Sequence, residues 1–154
     1  MKLLAMFNFK IIMAVFIVFI VLVFAIFYAF KSDYSSFGNM VIPLTIKNNY
    51  FKVEIVSNEQ KMQLGLGKRS DICNNCGMLF KFKEAGKHSF WMKDMLFPID
   101  IIWIFNNKIV YIEKNVQPDF PGTLNPDEIS DAVLELKAGN VDNFGILIRD
   151  TIIF

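Results

Sequence analysis

Only two cysteines and one histidine occur in the 154 residues, so a zinc site would have to draw on Cys73, Cys76 and His88 plus a carboxylate. No Gly-rich phosphate loop, Ser nucleophile motif or cofactor fingerprint is present, and no metal or cofactor is expected. Charge is sparse, at 20% of residues. Lys2, Lys10 and Lys31 hold three of the sixteen basic residues, which leaves thirteen against fifteen acidic ones beyond Lys31. That balance cannot neutralise a row of phosphates, which excludes a nucleic-acid binder. Internal repeats and low-complexity tracts are absent. Past the apolar start, roughly 120 residues remain, one domain's worth, which rules out a two-domain enzyme.

What the chain has in excess is apolar sequence. Ile11 to Phe30 is twenty residues without charge, Pro or Gly, and at about 1.5 Å per residue a helix of that length spans roughly 30 Å, the core of a bilayer. A secretory signal core has about 7–15 apolar residues and a small-residue cleavage site. Here bulky Phe27 occupies the −3 position for cleavage after Ala29, so residues 11–30 read as an uncleaved anchor. Two lysines before the run and one after favour a cytoplasmic N-terminus. The expectation is residues 1–10 inside, 11–30 in the cytoplasmic membrane, a polar tether over 31–40, and a domain at 41–154 outside the cytoplasm.

Within that domain the dominant period is two. Val41–Ile46 and Tyr50–Val56 predict strands around a Lys47-Asn48-Asn49 turn, and Ser57 with Gln60 resembles a capping box for a two-turn helix packing by Met62, Leu64 and Leu66. One short strand is expected from Gly77, with a turn around Glu84-Ala85-Gly86-Lys87, then an apolar stretch over His88–Met92. Ile99–Phe105 is greasy on both faces apart from Asp100, the mark of a central or barrel-wall strand. Asn106-Asn107 suits a two-residue hairpin turn into Lys108–Val116. Pro118, Pro121, Gly122 and Pro126 make Gln117–Ser130 the longest loop. Ala132–Leu136 is a strand, Gly139–Phe144 a short helix or turn, and Ile146–Ile148 with Thr151–Phe154 a closing hairpin or bent strand. The fold class is mainly β, a β-rich α+β domain with a compact barrel-like form and one or two short helices.

Three groups of residues carry chemistry. Cys73-Asn74-Asn75-Cys76 can be a disulfide, a redox pair or half a metal site; a disulfide there closes only four residues, worth about 2 kcal/mol, and no helix follows to activate a thiol. Around Trp91, the segment from His88 to Asp94 presents either core aromatics or a pocket wall with Lys93. Asp100, set in Pro98-Ile99-Asp100-Ile101, must be hydrogen-bonded, paired or in a cavity. Its open alternatives are acceptance of backbone N–H groups or a carboxylate pair with Glu135 or Asp94, and two carboxylates in one cavity split their pKa values and support acid/base work.

The ordered series Gly65-Leu66, Gly77 to Phe82, Phe90-Trp91-Met92-Lys93-Asp94, Pro98-Ile99-Asp100-Ile101, Val133 to Leu136 and Ala138-Gly139 resembles domain-of-unknown-function family number 192 over about Phe51 to Ile153. The resemblance implies a compact β-rich domain of prokaryotes, often behind a signal peptide or anchor, and supplies no catalytic set. Gly67, Asp94-Met95 and Arg149-Asp150 depart from its pattern, and the Cys pair is not part of it. The expected role is a binding or accessory module of the cell envelope with Trp91, Lys93, Asp100 and the 117–130 loop as its surface, its partner a small molecule or an envelope protein. An envelope hydrolase built on the Asp100 carboxylate pair and a structural scaffold for another envelope protein are the competing readings.

Overall fold

The computed structural model describes Met13, residues 15–23 and residues 38–154. The chain divides into two units, Met1–Ser35 and Ser36–Phe154. In the first, residues 15–23 are helical and exposed. Among the described residues no helix is long and apolar enough to cross a membrane. Residues 1–10, the rest of the expected 11–30 span and most of the tether lie outside the described residues.

The second unit is mainly β. Its elements are β1 (Met40–Ile46), β2 (Asn49–Val56), α1 (Glu59–Leu64), β3 (Cys76–Gly86), β4 (Phe90–Trp91), β5 (Ile99–Phe105), β6 (Lys108–Val116), β7 (Thr123–Leu124), β8 (Ser130–Lys137), α2 (Asn140–Asn143) and β9 (Ile152–Ile153). Seven strands form one curled sheet in the order β6-β5-β8-β3-β2-β1-β9, and β4 pairs with β7 in a separate ribbon. Among the described strands only β2 and β3 pair in parallel. A parallel neighbour demands a crossover, here residues 57–75 with α1.

Strand alternation gives the sheet two faces. Ile55, Leu79, Leu134 and Ile102 lie in one cross-strand row and Val53, Gly77, Leu136 and Asp100 in the next. This side packs on Leu44, Phe51, Val141, Ile146 and Ile152 to form the main core. The opposite face carries the rows Glu54, Met78, Glu135, Ile101 and Val56, Phe80, Val133, Trp103. Phe90 meets both Phe80 and Trp103 edge to face, and Trp103 meets Tyr111 likewise, an aromatic layer under the 88–97 segment. The C-terminal tail draws the sheet edges together: Ile152 and Ile153 pair with β1, and Thr151 bridges to Lys108 of β6.

The Asn106-Asn107 hairpin forms as its residues require, both at positive φ, and β5 lies between β6 and β8, buried on both faces. Other expectations need correction. Asn58, not Ser57, caps α1, its side chain accepting from the Gln60 N–H. No residue of α1 is buried and Leu64 is 43% exposed, because the turn at Gly65 sends only Leu66 inward. β3 continues through Glu84 to Gly86 instead of turning there, since β8 pairs with it as far as Gly86↔Ser130. His88–Met92 yields just two strand residues, paired into the Pro-rich segment, which therefore is not loop throughout. The closing hairpin at Ile146–Ile148 does not form: Leu147 and Ile148 are exposed outside any strand, and Ile152–Ile153, with the Thr151 bridge, joins the sheet.

Candidate functional site

The aromatic face is only partly covered. Between α1, β3 and the 87–95 segment lies a pocket of about 270 Å³, with Leu66, Phe80, Phe90 and Met95 in its walls and Glu135 at its floor. Glu135 is there because it alternates outward from Leu134 and Leu136, in register with Met78 and Ile101. It is 4% exposed. One carboxyl oxygen accepts the Leu66 backbone N–H; Oε2, buried, has no hydrogen-bond partner among the described residues.

Gly65 delivers that N–H. It ends α1 at φ 53° and ψ −133°, and a Cβ on it would lie 3.3 Å from Glu135 Oε2 and 3.4 Å from the Phe80 ring. A left-handed φ this close to a carboxylate favours glycine on both counts. Burial pushes the Glu135 carboxyl up from 4.5 to about 8, against the opposing pull of the Leu66 N–H and the Arg69 charge. The acid is mostly neutral at pH 7. Arg69 itself is committed to Glu54, donating to both carboxylate oxygens at 2.5 and 2.9 Å, while Asn39 Nδ2 donates to Glu54 Oε2 at 2.6 Å. Such buried charges are kept in register by their forked pairing.

The rim is polar and aromatic. Trp91 is 46% exposed, and the His88 ring stacks on Phe82 at 3.5 Å. Lys87 pairs with Asp127, and Lys93 stands at the opening with no ion-pair partner among the described residues. Behind the rim, Phe90 and Trp91 pair with Leu124 and Thr123, Ser89 Oγ donates to Asn125 Oδ1, and Trp103 Nε1 donates to the His88 carbonyl at 2.7 Å. The 117–130 segment thus braces the pocket without lining it.

Of the residues picked from sequence, Trp91, Lys93 and Glu135 come together here. Asp100 does not. Its register partner is Leu136, so it projects from the main-core face, fully buried, and accepts the backbone N–H groups of Asn115 and Val141 at 2.9 Å each. The expected Asp100–Glu135 pair is therefore not formed: the two carboxyls sit on opposite sides of the sheet. Asp94 is exposed at φ 60° and also stays outside the pocket, its carbonyl accepting the Lys68 N–H. Cys73 and Cys76 are joined by a disulfide at the entry to β3, and no group of three or more metal-ligating side chains occurs among the described residues. Sequence reasoning missed Gly65, Leu66, Phe80 and Phe82 as pocket residues. The period-two pattern that puts Phe80 and Phe82 on the Met78 face was the available signal.

Comparison with known proteins gives a fold and a family. Residues 42–154 match DUF192, described as "Uncharacterized ACR". Among solved structures, a protein from Sinorhizobium meliloti 1021 described as a proposed transcription regulator is similar at 26% identity and TM-score 0.72, over 75% of this chain and 94% of that one. A protein of unknown function from Novosphingobium aromaticivorans DSM 12444 is similar at 24% identity and TM-score 0.72, over 76% and 87%. No curated protein matches the sequence.

Proposed function

The chain belongs to the DUF192 family, and from that premise we propose that it is a membrane-anchored binding or accessory module of the cell envelope, with the Glu135 pocket as its recognition site. One observation carries the reading: Glu135, a buried carboxyl with one oxygen lacking a hydrogen-bond partner among the described residues, lines an open, aromatic-walled pocket. A buried polar group left without a partner costs about 1–3 kcal/mol or more, and a ligand group bonded to it recovers that energy. Convergent polar groups in an apolar pocket are the usual make-up of a small-molecule site. The apolar run at 11–30, with lysines on both sides, supports the anchor and an outward-facing domain. The regulator description of the Sinorhizobium protein is not carried over, since acidic residues outnumber basic ones beyond Lys31.

The test is native mass spectrometry of the full chain extracted in mild detergent, before and after denaturation, with protease shaving of spheroplasts to locate the domain. The expected result is a bound species that leaves on denaturation and is absent from Trp91→Ala, on a domain cut from outside. An empty wild-type protein, or a domain protected from external protease, would overturn the corresponding half of the proposal.

A further inference from the structure

We propose that the Glu135 pocket takes a compact organic cation carrying N–H donors, an ammonium or amidinium, seated against the Glu135 carboxyl with its apolar body along the Trp91 ring. This inference rests on the pocket being a binding site and goes further by naming what binds.

Three features of the pocket select positive charge. The first is the acceptor. With one oxygen on the Leu66 N–H, Oε2 is unpartnered, and once ionised it is an acceptor without a donor. The second is the wall. Phe80, Phe82, Phe90 and Trp91 surround the space above the carboxyl, and the faces of aromatic rings attract cations, most strongly once water is displaced. The third is the placement of the protein's own cations: the Arg69 terminal nitrogens donate to Glu54 of β2, and Lys93 stands at the rim. The 270 Å³ volume lies just below the usual range for small-molecule pockets, roughly 300–1,000 Å³, so the ligand is compact.

The charge of the site is then linked to occupancy. The empty pocket holds a mostly neutral acid, because burial keeps the Glu135 carboxyl near 8. A cation in contact with the carboxyl favours the ionised form, so binding near pH 7 releases a proton to solvent. Only the ionised fraction binds well. Affinity therefore climbs about tenfold per pH unit between pH 6 and 7 and levels off above pH 8. The other charged or titratable groups facing this space are Glu59 on α1, Arg69 on the crossover with its partner Glu54, Lys87 with its partner Asp127, His88 before β4, and Lys93 after it. Replacement of His88 by Gln separates its contribution from that of Glu135.

Benzamidinium, benzamide and benzoate share one shape and differ in charge, which makes them the probes. Binding to the full chain in detergent micelles is read from the fluorescence of Trp91, with Trp103 buried beneath, and from calorimetry in two buffers of different protonation heat. Benzamidinium is expected to bind at least tenfold tighter than benzamide at pH 7, to release close to one proton, and to keep its pH slope in His88→Gln. Glu135→Gln is expected to bring benzamidinium and benzamide within about twofold and to abolish the slope, whereas Lys93→Met, which removes a like charge from the rim, is expected to tighten benzamidinium binding. The proton count on the wild-type protein carries the test if Glu135→Gln fails to fold. Benzamide or benzoate binding at Trp91 as tightly as benzamidinium, or a tenfold loss in Lys93→Met, overturns the cation assignment and leaves the pocket a binding site. No response to any of the three overturns both.

Discussion

Replacing Glu135 by Gln should make the protein more stable at alkaline pH, an unusual outcome for a substitution in a buried strand. The reason is linkage. The folded carboxyl sits near 8 and the unfolded one near 4.5, so between those values the folded chain holds a proton that the unfolded chain has released. Stability from this group is fully present below about pH 4.5, falls as pH rises, and levels off above about 8. Each pH unit in that window corresponds to about 1.4 kcal/mol, and the whole interval to about 5 kcal/mol at most. Gln keeps the acceptor for the Leu66 N–H and never ionises. The wild-type and Glu135→Gln proteins are therefore expected to be close in stability near pH 5 and to diverge steadily toward pH 8, with the variant ahead by several kcal/mol. Asp71 and Asp127, held below 3.8 by Lys137 and Lys87, act at lower pH, and Tyr111, held above 10 by Glu113, acts at higher pH. The window is left to Glu135 and to groups common to both proteins. Urea unfolding of the full chain in detergent, followed by tryptophan fluorescence at pH 5, 6, 7, 8 and 8.5, measures the difference directly. A wild-type minus variant difference that stays flat across that range would refute the reasoning.

Asp100→Asn should cost about 1–3 kcal/mol in the same unfolding assay, because an amide cannot accept from both Asn115 and Val141. Hydrogen exchange at those two amides should quicken, while benzamidinium binding at the pocket stays unchanged; a loss of binding with the fold intact would place Asp100 in the site after all. Reducing Cys73–Cys76, or replacing both by Ser, should lower stability by no more than about 2 kcal/mol, and a larger loss would mean that the loop organises β3. Gly77→Ala puts a Cβ 2.5 Å from the Glu135 carbonyl and 2.7 Å from Leu136 Cδ2. That separates β3 from β8 and should prevent recovery of folded protein, whereas Gly122→Ala, with open space around it, should cost about 1–2 kcal/mol through its positive φ alone. Equal behaviour of the two glycine variants in a thermal melt would contradict the assigned register.

The strands were legible because their information is local. Asn106-Asn107 requires positive φ at two successive residues, and few dipeptides accept it, so the β5–β6 hairpin could be placed to the residue. The site was only half legible, because it depends on which face each strand presents and on register between segments far apart in the chain. Asp100 and Glu135 look alike in sequence, each a lone acid in an apolar strand. A shift of one residue in the β5–β8 pairing would put them on one face; the actual register sets Asp100 opposite Leu136 and Glu135 opposite Ile101. From there their fates separate. Asp100 meets two backbone N–H groups, one from Asn115 at a positive φ where β6 departs from regular pairing, and it becomes a structural clamp on α2 and β6. Glu135 meets one N–H, delivered by a glycine turn about seventy residues earlier in the chain, and keeps an oxygen without a partner. No local pattern encodes that difference, since both partners arrive from the tertiary fold. The acid suspected first from sequence holds the structure together, and the acid suspected second is the one left available for chemistry.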